Sequence, residues 1–192
     1  WGAFFVTMGA YLLNVFDGEE GLNSIIGSAY ATHNWAGLLA PVFVGLIADR
    51  FFNAEKVNAI SHLIGAVLLW YASTITDPSL FIWVMLAYFM LYMPTLALVN
   101  AISFANIDDP DKEFPKIRVW GTIGWILAGF LVAQSVVGLF NIPLLGWITG
   151  VESNIQSTNI PLRLSAVISV IYGLFSFTLP ATPPSAKGEK FN

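Results

Sequence analysis

No cysteine occurs in the 192 residues, which excludes disulfides and thiolate metal sites. Charge is nearly as scarce. Asp, Glu, Lys and Arg make up 10% of the chain, against about 25% in an ordinary soluble domain. A net charge of -4 on so few groups says little about partners, and no basic patch is present that would hold nucleic acid. Common enzyme motifs are missing too: there is no H-E-x-x-H, no G-x-S-x-G and no Walker glycine loop. The chain therefore offers no candidate catalytic residue, metal site or cofactor site. It also lacks the charged leading segment of a signal peptide. It opens on Trp1 inside an apolar run and reads as part of a longer protein, cut within its first helix.

What fills the space is apolar. Hydrophobic residues make up 56%, and the mean hydropathy is +0.71. The charge-free runs are Trp1–Phe16, Leu22–Ala48, Val57–Ile75, Leu80–Asn106, Val119–Phe140 and Leu164–Leu179. A spanning helix needs roughly 20 apolar residues. The second to fifth runs meet that length, the first is short, and the sixth reaches it only with Ala181 and the Pro161–Arg163 edge. The runs are continuous and too long for the alternating pattern of a barrel strand. They predict an all-α membrane protein, a six-helix transmembrane bundle over residues 1–180. Residues 181–192, rich in Pro, Ser, Lys and Gly, read as the start of a cytoplasmic linker.

Orientation follows from Lys and Arg. With six spans, one side of the membrane collects Arg50, Lys56, Lys112, Lys116, Arg118, Lys187 and Lys190, and the other has Arg163 alone. This places the 2–3 loop, the 4–5 loop, the tail and the N-terminus in the cytoplasm. The 5–6 loop, 141–163, is the longest external piece. Its apolar "IPLLGWITG" either lies along the outer interface or packs as an ordered loop on helix ends.

Two short stretches carry more. In "GLIADRFFNAEK", Gly45 permits close backbone approach, and Asp49 sits where it can cap a helix N-terminus or pair with Arg50 or Lys56. On its own this is also an ordinary charged turn. In "FPKIRVWGTIGW", Arg118, Thr122 and Trp125 are spaced i, i+4, i+7 and share a helix face. Taken alone, Arg118 there reads as a snorkelling interface anchor.

The Gly-x-x-x-Asp-Arg pattern between spans two and three resembles the signature loop of the major facilitator superfamily. The usual second glycine and the basic run after it are replaced here by Phe52, Glu55 and Lys56. More narrowly, "PVFVGLIADRFF", "SHLIGAVLLW", "YMPTLALVNAISF" and "FPKIRVWGTIGW", in this order, resemble the nucleoside:H+ symporter family of bacterial permeases over nearly the whole chain. The resemblance implies the N-terminal half of a twelve-helix facilitator fold in the bacterial inner membrane. It implies import of purine or pyrimidine nucleosides driven by protons, through alternating access. The partners it implies are nucleoside, proton, lipid bilayer and an absent second six-helix half. Gly45, Asp49 and Arg50 become a conformational latch. Arg118, Thr122 and Trp125 become cavity residues: a planar fork of donors, a hydroxyl, and an aromatic face on which a base stacks.

Facilitator helices one and four line the cavity. The stripe Phe4, Thr7, Tyr11, Asn14 and the set Tyr88, Tyr92, Thr95, Asn100, Ser103 therefore hold further candidates, chiefly Thr7, Tyr11, Tyr92, Thr95 and Asn100. Pro94 breaks the backbone ladder beside Thr95 and can widen a cavity. Helix six shows a similar stripe, Ser165, Ser169, Tyr172 and Ser176, but is expected outside the cavity, where such residues join helices. Coupling to protons needs a titratable group in the membrane, yet all twelve acids lie in loops or at helix ends. Of the two histidines, His33 near midplane is either a proton relay or a hydrogen-bonding residue between helices, and His62 is read as structural. The coupling carboxylate is expected in the absent half. Two other readings stay open: a facilitator carrying another small polar solute such as a sugar, and a membrane module that binds a partner without transport.

Overall fold

The computed structural model describes residues 1–132 and 155–184, and for 41–51 the backbone alone. Six α-helices are present among the described residues: α1 Met8–Val15, α2 Leu22–Phe51, α3 Ala54–Ala72, α4 Pro78–Ala105, α5 Pro110–Val132 and α6 Ile160–Ser176. A 3₁₀ turn, Ile155–Ser157, precedes α6. No strand occurs among the described residues. The stretch read as an interfacial loop, 142–150, and the end of the linker, 185–192, lie outside them.

The helix starts and stops have local causes. Gly18 and Gly21 turn the chain between α1 and α2 with φ of 86° and 74°, a region open to glycine at little steric cost. Asp77 caps α4 by accepting the Leu80 N–H at 2.6 Å, with Pro78 in the first turn. Asp109 accepts the Lys112 N–H at 3.3 Å just ahead of Pro110. Because of that start, α5 begins nine residues ahead of the apolar run at Val119, and Arg118 lies two turns inside a helix rather than at its mouth. Likewise α2 continues through Asp49 and Arg50 to Phe51, so the turn to α3 is only Phe52 and Asn53.

The core forms where the start of the chain packs among α2, α4 and α6. Phe4, Met8, Leu12 and Phe16 are buried against Phe81, Met85 and Phe89 of α4. Ala29, Ala36 and Ala40 of α2 are fully buried; their small side chains let α2 and α4 approach closely. The Tyr30 hydroxyl ties the start of the chain to α2, accepting the Gly9 N–H at 3.0 Å and donating to the Phe5 carbonyl at 3.0 Å.

A second seam joins α3 to α6. Asn58, fully buried, donates to the Ser176 hydroxyl at 3.0 Å and to the Tyr172 hydroxyl at 3.2 Å. Gly173 faces α3 so closely that a Cβ there would lie 2.9 Å from Leu63 Cγ and 3.1 Å from the Ala59 carbonyl oxygen. Backbone cannot yield as a flexible side chain does. Gly173→Ala is therefore expected to destabilise the bundle by about 1–3 kcal/mol, the usual cost of overpacking, read as a lower Tm in detergent, while Gly27→Ala, inside α2 with open space around it, does not lower Tm, because alanine is the better helix former.

The outside of the bundle is apolar. Val67, Trp83, Leu38 and Ile171 are 63–69% exposed. In water such a surface would drive association; in lipid it faces like with like. The 28-residue α4, with an 18-residue stretch of mean hydropathy 1.9, is by length and composition long and apolar enough to cross a bilayer.

Candidate substrate cavity

A cavity of about 720 Å³ opens between α4 and α5, with α3 and α6 on its far wall. This is within the 300–1,000 Å³ typical of small-molecule sites. Helix α4 presents Tyr92, Thr95, Asn100 and Ser103 to it; α5 presents Arg118, Thr122 and Trp125. These come from two sequence blocks that a tight turn folds back on each other. Phe104 and Phe114 stack across that turn, ring centroids 4.3 Å apart.

Pro94 lies inside α4 without ending it. It supplies no N–H to the carbonyl of Met90, so the ladder is open one residue before Thr95. The Thr95 hydroxyl donates to the Tyr92 carbonyl at 2.6 Å, and Ser103 donates to Val99 at 2.8 Å. Their donors are thus used within the helix, and their oxygens remain as acceptors. Arg118 is exposed along the lightly packed face of α5. The ion pair among the described residues is Lys112 with Asp109 at 2.6 Å, and it does not involve Arg118. The cavity so offers a planar fork with no acidic partner among the described residues, hydroxyl acceptors, the Asn100 amide and an aromatic wall. Trp125 stands edge-on to Trp1 at 4.9 Å, and Tyr92 lies 5.8 Å from Trp1.

Six of the eight residues expected to meet substrate border this one cavity. The other two lie elsewhere. Thr7 is buried, and its hydroxyl turns back to the Ala3 and Phe4 carbonyls at 3.1 and 3.2 Å. Tyr11 is buried near Phe81 and borders a separate cavity with Ser73 and Arg163 at the opposite end of the bundle. Asn14, on the same stripe, donates to the Ser157 carbonyl at 3.2 Å. His33 is packed among rings, stacked on Trp1 at 5.5 Å and flanked by Phe5 and Phe89 at 5.0 and 5.4 Å. The side chains of Gly45, Asp49 and Arg50, the candidate latch, lie outside the described residues.

The cavity wall also holds groups that spacing alone did not bring forward. His62 of α3 and Tyr172 of α6 both border it. The imidazole sits edge-on to Tyr172 at 4.6 Å and to Tyr92 at 5.9 Å. The available signal was a shared face: Asn58 and His62 are one turn apart, as are Tyr172 and Ser176, and Asn58 bonds both members of the second pair.

Residues 1–191 match the sequence family described as Nucleoside H+ symporter. The chain belongs to that family. It is 42% identical over 190 residues to the "Putative nucleoside transporter YegT" of Escherichia coli (strain K12), covering 98% of this chain and 41% of that protein. It is 33% identical over 191 residues to the xanthosine permease of the same organism, covering 97% of this chain and 41% of the permease. The crystal structure of the nucleoside transporter NupG superposes with a TM-score of 0.78 at 32% identity, over 97% of this chain and 42% of that one. A mutant of NupG gives 0.81 at 30% identity, over 100% and 44%. The fold is therefore the all-helical bundle expected from the apolar runs and of the facilitator type implied by the resemblance, and the chain spans about two-fifths of the length of the relatives it matches.

Proposed function

We propose that this chain is the N-terminal six-helix half of a bacterial inner-membrane transporter that imports nucleosides with protons by alternating access. In this reading residues 1–180 form the bundle, residues 181 onward lead toward a second half, and the N-terminus is cytoplasmic. The observation that carries the proposal is the cavity itself. It unites a guanidinium fork, hydroxyl and amide groups, and a wall of Trp125, Trp1 and Tyr92. A nucleoside is neutral, with a hydroxyl-rich ribose and a flat base. The fork and amide suit its oxygens, and the aromatic wall suits the base by stacking, worth about 1–3 kcal/mol per base in other binding sites. A sugar would use the polar groups and leave much of that wall without a flat partner.

The site stands to be completed by the second half, which rocks against this one about a shared substrate. Gly45, Asp49 and Arg50, at the end of α2 beside the short turn to α3, are assigned as the latch between the halves. The coupling proton is assigned to a carboxylate of the second half, because all twelve acids here lie in loops or at helix ends. His33 is set aside as the relay because its ring is taken up by Trp1, Phe5 and Phe89, and its Nδ1 by Asn34 Oδ1 at 3.2 Å. In the full-length protein, labelled uridine is expected to accumulate with an inward proton gradient. A protonophore abolishes this, unlabelled nucleosides compete, and sugars do not. The same pH dependence persists in His33→Asn. Competition by a sugar and not by nucleosides refutes the substrate class; uridine exchange that ignores the gradient refutes the coupling.

A further inference from the structure

Beyond the cavity, one buried carboxylate has no part in substrate recognition. Glu55 lies in the first turn of α3, before the apolar run that begins at Val57, and is 3% exposed. An ionised carboxylate is costly to bury unless hydrogen bonds replace its water. Here both oxygens are engaged. Asn53 Nδ2 donates to Oε1 at 3.0 Å, and the Thr182 backbone N–H donates to Oε2 at 2.9 Å. Burial pushes the carboxyl up, but these bonds, its own N–H and the charge of Lys56 together hold it below the usual carboxylate range. It is therefore ionised at neutral pH, and it lies at the positive end of the α3 dipole.

The contact is two-way. The Ala54 N–H, one of the donors that a helix start leaves without an internal partner, donates to the Thr182 carbonyl at 3.0 Å. The segment after α6 so caps α3, and α3 grips the segment. Thr182 is 8% exposed. Pro180, Pro183 and Pro184 fix φ on both sides of it, so the described part of the segment is a stiff strap fastened at Thr182. The Asn58–Ser176 bond lies one turn further along the same α3–α6 seam. On the other side, only Phe52 and Asn53 separate Glu55's helix from α2 and its Asp49–Arg50 pair.

We propose that Glu55 is a positioning residue for the transport cycle: it clasps the backbone at Thr182 so that the strap leaving α6 moves as one piece with the α2–α3 turn. This rests on the reading that the strap leads to a second transporter half. A strap fastened at the turn passes each displacement of that half directly to the end of α2. A strap released at Thr182 has slack to absorb it. Glu55 thereby governs how fast the halves exchange, without touching substrate.

The absence of cysteine in this stretch makes the clasp easy to label. In the full-length protein, with any cysteines elsewhere replaced, nitroxides are placed at Phe52→Cys and Ala181→Cys, both exposed sites. Strong dipolar broadening is expected for the parent and for Glu55→Gln, whose amide oxygen still accepts the Thr182 N–H. It is lost in Glu55→Ala, which removes the acceptor, and in Thr182→Pro, which removes the donor. Uridine uptake in these two variants is expected to fall about tenfold or more in maximal rate, the factor set by losing one hydrogen bond to a charged group. KM and the amount of protein in the membrane stay constant, and Glu55→Gln transports like the parent. Broadening that persists in both disrupted variants overturns the clasp. Broadening that disappears while the maximal rate stays at the parental value overturns its role in the cycle. A parent that is labelled, folded and broadened yet moves no uridine refutes the transport reading and leaves the clasp standing.

Discussion

Arg118→Lys in the full-length protein reaches the membrane in normal amount and binds uridine about tenfold to a hundredfold more weakly. The magnitude is that of one hydrogen bond to a charged group, about 1.5–3 kcal/mol. Lysine keeps the positive charge that helps set topology but has a single ammonium in place of a planar fork of donors. Arg118 borders the cavity two turns inside α5, and among the described residues it has no acidic partner. Lys116→Gln is the control. It removes a neighbouring charge on the same helix without touching a cavity residue, and affinity stays at the parental value. Equal affinity in Arg118→Lys and the parent, or loss only through poor insertion, makes Arg118 an interface anchor and removes α5 from the site.

Trp125→Ala produces the second large effect, a fall in affinity of about fivefold to more than a hundredfold, the range of one base–aromatic stack. The indole lines the cavity and meets Trp1 edge-to-face at 4.9 Å, so its removal takes away both a stacking surface and the partner that orients Trp1. Trp120→Ala is the matched control. Trp120 is 73% exposed and is not among the residues that border the cavity. Fluorescence titration with uridine separates the two variants, and Trp125→Phe restores most of the affinity because a ring remains. If the Trp120 and Trp125 variants lose affinity equally, the aromatic wall does not hold the base.

The lining of the cavity was legible on α4 and α5 and poorly legible elsewhere. On those helices one face carries polar and aromatic side chains amid apolar neighbours, and helical spacing alone groups Arg118 with Thr122 and Trp125. Thr7 and Tyr11, singled out by the same reasoning, do not border this cavity. A threonine hydroxyl can satisfy itself on its own helix, as Thr7 does at the Ala3 and Phe4 carbonyls, and spacing cannot tell that from a side chain awaiting a ligand. His62 and Tyr172 went the other way. Their arrival at the cavity depends on how α3 seats on α6, through Asn58 and Gly173, and that is a contact between residues more than a hundred positions apart.

By itself the sequence determined the solvent and the class: lack of charge and long apolar runs leave lipid-embedded helices as the form in which such a chain satisfies its backbone. It also determined the helix number and, through the ordered blocks, the family. Tertiary structure alone decided which faces meet. Side-chain pairing across helices depends on close approach at a few small residues and on where hydrogen-bond donors find acceptors, and neither is encoded locally. So α3 and α6 became a wall of the cavity rather than a distant outer layer, and a buried glutamate at the head of α3 found its partner in the backbone at Thr182.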